Sequence, residues 1–299
     1  MKTFFDCIPC FVRQALASVR MVTDDEAVQE EVLRKVLEAA SAMDLRKSPP
    51  AMGQYIHRVI RQLTRDEDPY RRSKDRFNLL ALSLYPRFEA RVRRSKNPLE
   101  TAVRLAIAGN VIDFGVNSDL TEEEVHQSVD HALKAPLDGD LAAFREAALN
   151  AKSILYLADN AGEIVFDRLL IAEQLPLNKL TVGVKGRPVI NDATMADAQF
   201  AGLAGLVAVI DNGSDAPGTI LEDCSEAFRR RFDASELVIA KGQGNYETLS
   251  QVQQDIFFLL KAKCPVIAED IGCKVGSLVL RRSSCAKASA GKGNAYAGI

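Results

Sequence analysis

Apolar residues recur at helical spacing through the first half of the chain and gather into short continuous runs in the second. Thr23-Asp24-Asp25-Glu26 reads as a capping box, and Val28, Val32, Leu33, Val36 and Leu37 follow on one helical face. Ser48-Pro49-Pro50 opens a second helix carrying Met52, Tyr55, Ile56, Val59, Ile60 and Leu63. From Arg71 to Lys96 basic residues, Lys74 among them, interleave with Phe77, Leu80 and Leu84, which predicts a helix whose charged face is solvated. Asn97-Pro98 supplies a cap and a first-turn proline for a helix running to Gly109, and Thr121-Glu122-Glu123-Glu124 is a further capping box.

From about Ser153 the rhythm changes. Ile154 to Leu157, Leu180 to Val184, Leu206 to Ile210, Leu237 to Ala240 and Ile256 to Leu260 alternate with helical segments, as buried parallel strands do. Gly276 to Leu280 reads as a sixth strand. The expected fold class is α/β, with a helical N-terminal domain (1–140) followed by a doubly wound, mainly parallel sheet domain (141–299) with helices on both faces. The Ala-, Ser-, Gly- and Lys-rich stretch from Ala286 reads as a weakly ordered tail.

Composition narrows the partners. With 47% hydrophobic residues the chain can bury a core, which excludes disorder as its main state. Its 38 Lys and Arg against 40 Asp and Glu leave a formal charge of -2, so nothing in the whole-molecule field favours nucleic acid or an anionic membrane. The absence of tryptophan argues against a base-stacking surface. No apolar run reaches the roughly 18 residues of a membrane span, and the first residues hold no apolar secretion core, so a cytoplasmic protein is expected. The 6 cysteines then read as reduced thiols or metal ligands, with Cys7 and Cys10 paired in spacing.

In an open parallel sheet, ligands bind beyond the carboxyl ends of the strands. The segments at that edge are Asp159-Asn160-Ala161-Gly162-Glu163, Lys185 to Asp192, Asp211 to Thr219, Lys241-Gly242-Gln243-Gly244-Asn245 and Lys261 to Cys264. Asp159, Asn160 and Asp192 offer hard oxygen donors suited to Mg²⁺ or Mn²⁺, which accept few protein ligands and leave room for a phosphate. Lys241 and Lys263 add positive charge, and Gly162, Gly218 and Gly244 allow close approach of backbone amides at helix starts. His57, His126 and His131 all fall in the helical half and read as ordinary core or surface histidines. Asp159 as a phosphorylated nucleophile, or Asp159 and Asp192 as mere helix caps, are the competing readings.

Taken with Asp6-Cys7-Ile8-Pro9-Cys10 and Gly109-Asn110-Val111-Ile112-Asp113, these loops and the continuation Tyr246-Glu247 make the sequence resemble the damage-control phosphatases, also known as domain of unknown function 89. The resemblance implies a metal-dependent phosphatase acting on a small phosphorylated metabolite such as a sugar phosphate, in which Asp159, Asn160 and Asp192 hold a divalent Mg, Mn, Co or Ni ion. It implies that Gln243, Gly244, Asn245, Tyr246 and Glu247, with Lys263, touch substrate; Gly162, Glu163 and Lys241 join that expected substrate-binding set. Asn110 and Asp113 are read as a second layer or a helix cap. Eukaryotic relatives carry Arg-Thr-x-Lys at the last loop, where this chain has Lys261-Ala262-Lys263, and Cys7-x-x-Cys10 points to the standalone microbial branch. Carboxyl methyl transfer from S-adenosylmethionine, or metal and phosphate binding without turnover, are the alternatives.

Overall fold

The computed structural model describes residues 1–109 and 122–283. The helix start at Thr121, the segment from Asn110 to Asp113, the side chain of His126, Cys285 and the tail from Ala286 lie outside the described residues. Three helices, α1 (Cys7–Val22), α2 (Glu26–Ala42) and α3 (Pro49–Thr64), bundle around Phe11, Ala15, Val19, Val36 and Ile56. The sequence pattern did not announce α1, whose cap residue Asp6 makes no side-chain bond to the helix. Helix α2 is capped by Asp25, not by Thr23: Asp25 Oδ1 accepts the Ala27 N–H at 2.9 Å, whereas Thr23 Oγ1 only receives the Asp25 N–H at 3.1 Å. The helix begins at Glu26, so Thr23 lies too far ahead to reach its third residue.

Helices α4 (Arg71–Arg94) and α5 (Pro98–Ala108) lead into α6 (Glu122–Lys134), strand β1 (Leu137–Gly139) and α7 (Leu141–Asn150). There follow β2 (Ile154–Leu157), α8 (Glu163–Gln174), β3 (Leu180–Val184), α9 (Met195–Phe200), β4 (Ala208–Asp211), α10 (Glu226–Ala234), β5 (Leu237–Lys241), α11 (Gly242–Leu249), β6 (Ile256–Lys261), α12 (Pro265–Ile271) and β7 (Leu278–Arg282). The strands form one sheet in the order β1-β7-β6-β5-β2-β3-β4. From β6 through β4 every pair is parallel. Alternate residues feed two cores, as a pleat requires. Ile154, Tyr156 and Ile239 face α4, α5 and α8, while Leu155, Leu157 and Val238 face α10, α11 and α12.

Two features of the far edge depart from the pattern. Strand β7 runs antiparallel to β6. The connection between them, which carries α12, closes at its base, with Ala262 N–H bonded to Ser277 O at 3.0 Å and Gly276 N–H to Ala262 O at 2.7 Å, so the chain re-enters beside the strand end it left and runs the other way. Strand β1, drawn from the segment before α7, pairs with β7 in parallel. Its Leu-Asp-Gly sequence is too short to show a period.

The helical half is fastened over the sheet's carboxyl edge. From α3, Arg58 and Gln54 bond Asp215 in the loop after β4, with Arg58 Nη2 to Oδ1 at 2.6 Å and Gln54 Nε2 to Oδ1 at 2.7 Å, and Arg61 completes the ion pair. Burial opposes ionisation of Asp215, but these hydrogen bonds and guanidinium charges outweigh it and hold its carboxyl at about 2. A depressed carboxyl contributes stability that is present above its unfolded value of about 3.9 and is lost as pH falls through the folded value. With Arg58 half exposed and its share screened, Asp215→Asn is expected to cost about 1–2 kcal/mol at pH 7. Denaturant melts of the two proteins should converge near pH 2; a constant gap from pH 7 to 2 would contradict the linkage.

Candidate active site

Strand order reverses beside β2: β3 and β4 add on one side of it, and β5 and β6 on the other. The crevice at such a switch point lies beyond the ends of β2 and β5, where Asp159 and Gly242 sit. The loops after β2 and β3 are zipped together. Ala161 N–H donates to Asn191 O and Ala193 N–H to Asp159 O, both at 2.8 Å, and Asn160 bridges to Asp192. Asp159, Asn160 and Asp192 are thereby assembled from separate loops. Ile190, at φ 44°, occupies the left-handed region that a β-branched residue avoids, so this turn is held under strain.

Asn160 is oriented by its neighbours. Its amide donates to Asp159 Oδ2 at 3.0 Å and to Glu163 Oε2 at 2.9 Å. That fixes the nitrogen and leaves the carboxamide oxygen free to act as a donor atom for a cation. Glu163 is itself anchored: its Oε1 accepts from Lys241 Nζ at 2.6 Å, and the same ammonium reaches Asp167 Oδ1 at 2.5 Å and Ala106 O at 2.7 Å. Tyr156 donates its hydroxyl to Asp167 Oδ1 at 2.8 Å. All three charged side chains are fully buried. Burial disfavours the Lys241 ammonium, yet Asp167 and Glu163 outweigh it and raise its proton affinity. Burial pushes Asp167 up to about 6 despite Lys241.

The carboxylates at the crevice repel one another. Burial, then Glu163 and Asp192, push Asp159 well above the usual carboxylate range, against the opposing charges of Lys263 and Lys185. Asp192 is raised by burial in spite of Lys185, whose Nζ lies 3.3 Å from its Oδ2, and of Lys74. The start of α11 is built around Asp159: a Cβ on Gly242 would lie 1.8 Å from Asp159 Oδ2, and Gly242 has φ 78°, so glycine is required there. Two facing carboxylates and a preset carboxamide oxygen fit a hard divalent cation that keeps several waters. Among the described residues no group of three or more His, Cys, Asp or Glu side chains is arranged as a metal site, so the two carboxylates would need the Asn160 oxygen and water to complete a coordination shell.

The damage-control phosphatase ARMT1-like domain model matches residues 3–279. The chain belongs to this family. Damage-control phosphatase PH1575 of Pyrococcus horikoshii is 35% identical over 291 residues, covering 95% of this chain and 99% of that protein. A damage-control phosphatase of Archaeoglobus fulgidus is 34% identical over 281 residues (92% and 97%), and uncharacterized protein MJ0202 of Methanocaldococcus jannaschii 37% over 294 (92% and 93%). The crystal structure of the domain of unknown function 89 protein from P. horikoshii superposes with a TM-score of 0.86 at 33% identity, over 95% of this chain and all of that one.

Other members of the family-like residue set are placed differently from the sequence expectation. The Gly162 N–H does not face the crevice, because Asn78 Oδ1 accepts it at 2.7 Å. Lys241 points into the core, as described. Gly218 packs on Gly244 and gives its carbonyl to Lys185 Nζ. Asn245 is held inside, its amide donating to Lys241 O at 2.8 Å and its oxygen accepting from Thr219 Oγ1 at 2.7 Å. Tyr246 donates to Asp270 Oδ2 at 2.7 Å, towards α12. Gln243 lies between Glu247 Oε1, to which it donates at 2.8 Å, and the Lys263 N–H, which it accepts at 3.2 Å. Lys263 is exposed, and its charge reaches Asp159.

Three contributors were not read from the sequence: Lys185, Lys74 and Asn78. Lys185 opens the loop after β3, and its sequence context gives no sign of its ion pair with Asp192. On α4, Lys74 and Asn78 are buried, which corrects the expectation of a wholly solvated basic face; Arg71, Arg72, Arg76, Arg87, Arg91, Arg93 and Arg94 are exposed as expected. The signal was present, since Lys74 and Asn78 fall at i and i+4 in the stripe that Phe77 and Ala81 share. Cys7 and Cys10 are free thiols on the first turn of α1; burial raises both, and the charges of Cys264 and Glu247 reach them. His57 is a buried core histidine whose Nδ1 meets the Tyr70 hydroxyl at 3.0 Å.

Proposed function

We propose that the protein is a metal-dependent phosphomonoesterase acting on a small phosphorylated metabolite. The observation that carries the reading is the oriented carboxamide of Asn160, beside a buried Asp159 whose charge Asp192 opposes and on a loop bridged to Asp192, in a family whose named relatives are phosphatases. A divalent ion held by Asp159, Asn160 and Asp192 would supply Lewis-acid polarisation of the phosphate and activation of water. The rest falls to the chain. Glu163 fixes the rotation of Asn160, and Lys241 anchors Glu163 in a dry interior. The first turn of α11 abuts the carboxylate edge and presents positive helix-end potential to an anion. Lys263 balances charge on the transferring phosphoryl group, and Gln243 holds its backbone. Asp159 acts as a ligand, because it is confined between Asn160 and Gly242.

The test is phosphate release from sugar phosphates, nucleotides and phosphorylated cofactors, with Mg²⁺, Mn²⁺, Co²⁺ and Ni²⁺ in turn. Lys263→Ala is expected to lower kcat/KM by the value of one charge-assisted hydrogen bond, roughly 1.5–3 kcal/mol, with metal affinity nearly unchanged. Absence of metal-stimulated release across the panel would overturn the activity, and methyl transfer from S-adenosylmethionine in a parallel incubation would replace it. Normal kinetics in the Lys263 variant would move the phosphate elsewhere.

A further inference from the structure

We infer that Asn78 and Lys74, contributed by the helical half, are positioning residues that hold the two cation-binding loops in register. The inference rests on the cation-site reading above and extends the site to a helix that touches neither ion nor substrate. Asn78 Oδ1 accepts the N–H of Gly162 at 2.7 Å, two residues beyond Asn160. Its amide donates to Asp197 Oδ1 at 2.8 Å. The other oxygen of Asp197 accepts from Thr194 N–H at 2.8 Å and Thr194 Oγ1 at 2.7 Å, two residues beyond Asp192, and lies 2.9 Å from Lys74 Nζ. One helix therefore grips the loop after β2 and, through Asp197, the loop after β3.

Docking alone does not require this chemistry. Lys74 and Asp197 are fully buried and Asn78 nearly so, and well-packed apolar residues would hold α4 as firmly or more firmly than a buried ion pair. What the hydrogen bonds of Asn78 and Asp197 add, with Lys74 balancing the Asp197 charge, is direction: each has one acceptor, one donor and one angle. Apolar contacts would let the two loops slide; these bonds set their separation. The backbone around Phe77 also lies against Gly162, leaving a Cβ there only 3.0 Å from Phe77 Cβ, so the loop has no room to drift towards the helix.

Mn²⁺ titrated into the metal-free full-length protein, with the free ion followed by its EPR signal, tests the assignment. Asn78→Ala and Lys74→Met are expected to raise the Mn²⁺ dissociation constant 10- to 100-fold, the range for losing a partner of a ligand, and to alter the bound-ion spectrum. Asp215→Asn, which loosens α3 and not α4, serves as control: its melting temperature should fall while its Mn²⁺ affinity stays that of the wild type. If Lys74→Met does not fold, Asn78→Ala decides. Folded Asn78→Ala with wild-type affinity and spectrum would overturn this assignment alone, as would an equal affinity loss in the Asp215 control. A wild-type protein that takes up no Mn²⁺ would overturn both the assignment and the cation site on which it rests.

Discussion

Asp159→Asn is expected to lower phosphate release about 10³-fold or more while the metal-free protein melts no lower than the wild type. The two halves of that outcome have one cause. Asp159 lies in a buried crevice with Glu163 and Asp192 near enough to oppose its charge, so in the absence of a cation the ionised carboxyl is a liability. Asparagine keeps the shape and an oxygen able to accept the Asn160 amide bond, and removes the repulsion. With substrate and metal the balance inverts: a neutral ligand gives up several kcal/mol of charge stabilisation, and each 1.36 kcal/mol is a tenfold change in rate. Steady-state kinetics at saturating Mn²⁺ and calorimetry in chelator measure the two halves. An inactive variant that also melts well below wild type would make Asp159 a structural residue, and an active one would remove it from the site.

Lys241→Met is expected to destabilise the fold by about 3–5 kcal/mol, because it leaves Glu163 and Asp167 buried without a counter-ion. Neither carboxylate has a solvent path, so the loss cannot be recovered by hydration. For a chain of this size the melting temperature should fall by on the order of 10 °C. The triple variant Lys241→Met, Glu163→Gln, Asp167→Asn should recover much of that loss, since it removes the unpaired charges with the ammonium. Its Mn²⁺ affinity should stay low, because a neutral amide in place of the Glu163 carboxylate no longer fixes which way Asn160 turns. If the single variant melted within 2–3 °C of wild type, a shift worth only about 1 kcal/mol, the ion triad would be of little consequence.

These two residues show what the sequence could and could not reveal. Asp159, Asn160 and Asp192 were legible because their loops follow apolar runs whose order fixes a shared edge. The same placement misled for Lys241, which ends its strand at that edge. In a strand alternate side chains take opposite faces, and its side chain follows Ile239 to the α5 and α8 side, where two carboxylates of α8 wait. Nothing in the local pattern shows a partner that far along the chain. Asn245 and Tyr246 went the same way: on a helix only one face meets the crevice, and theirs meet Thr219 and Asp270. Helices α2 to α6 and the five parallel strands were readable from period and caps, whereas β1 and the reversed β7 depended on pairings between distant segments.

The position of β2 at the middle of the sheet bears on how the protein is made. Its neighbour β3 leaves the ribosome soon after it, so the loops bearing Asp159 and Asp192 can zip early. Its other neighbour, β5, appears only after β4 and α10, and with it come the counter-ion of Glu163 and the glycine that seats Asp159. Until then α8 carries two unbalanced carboxylates that resist withdrawal from water. A nascent chain halted short of Lys241 is thus expected to keep that helix hydrated and the Asp159 and Asp192 loops unbraced until the sheet closes.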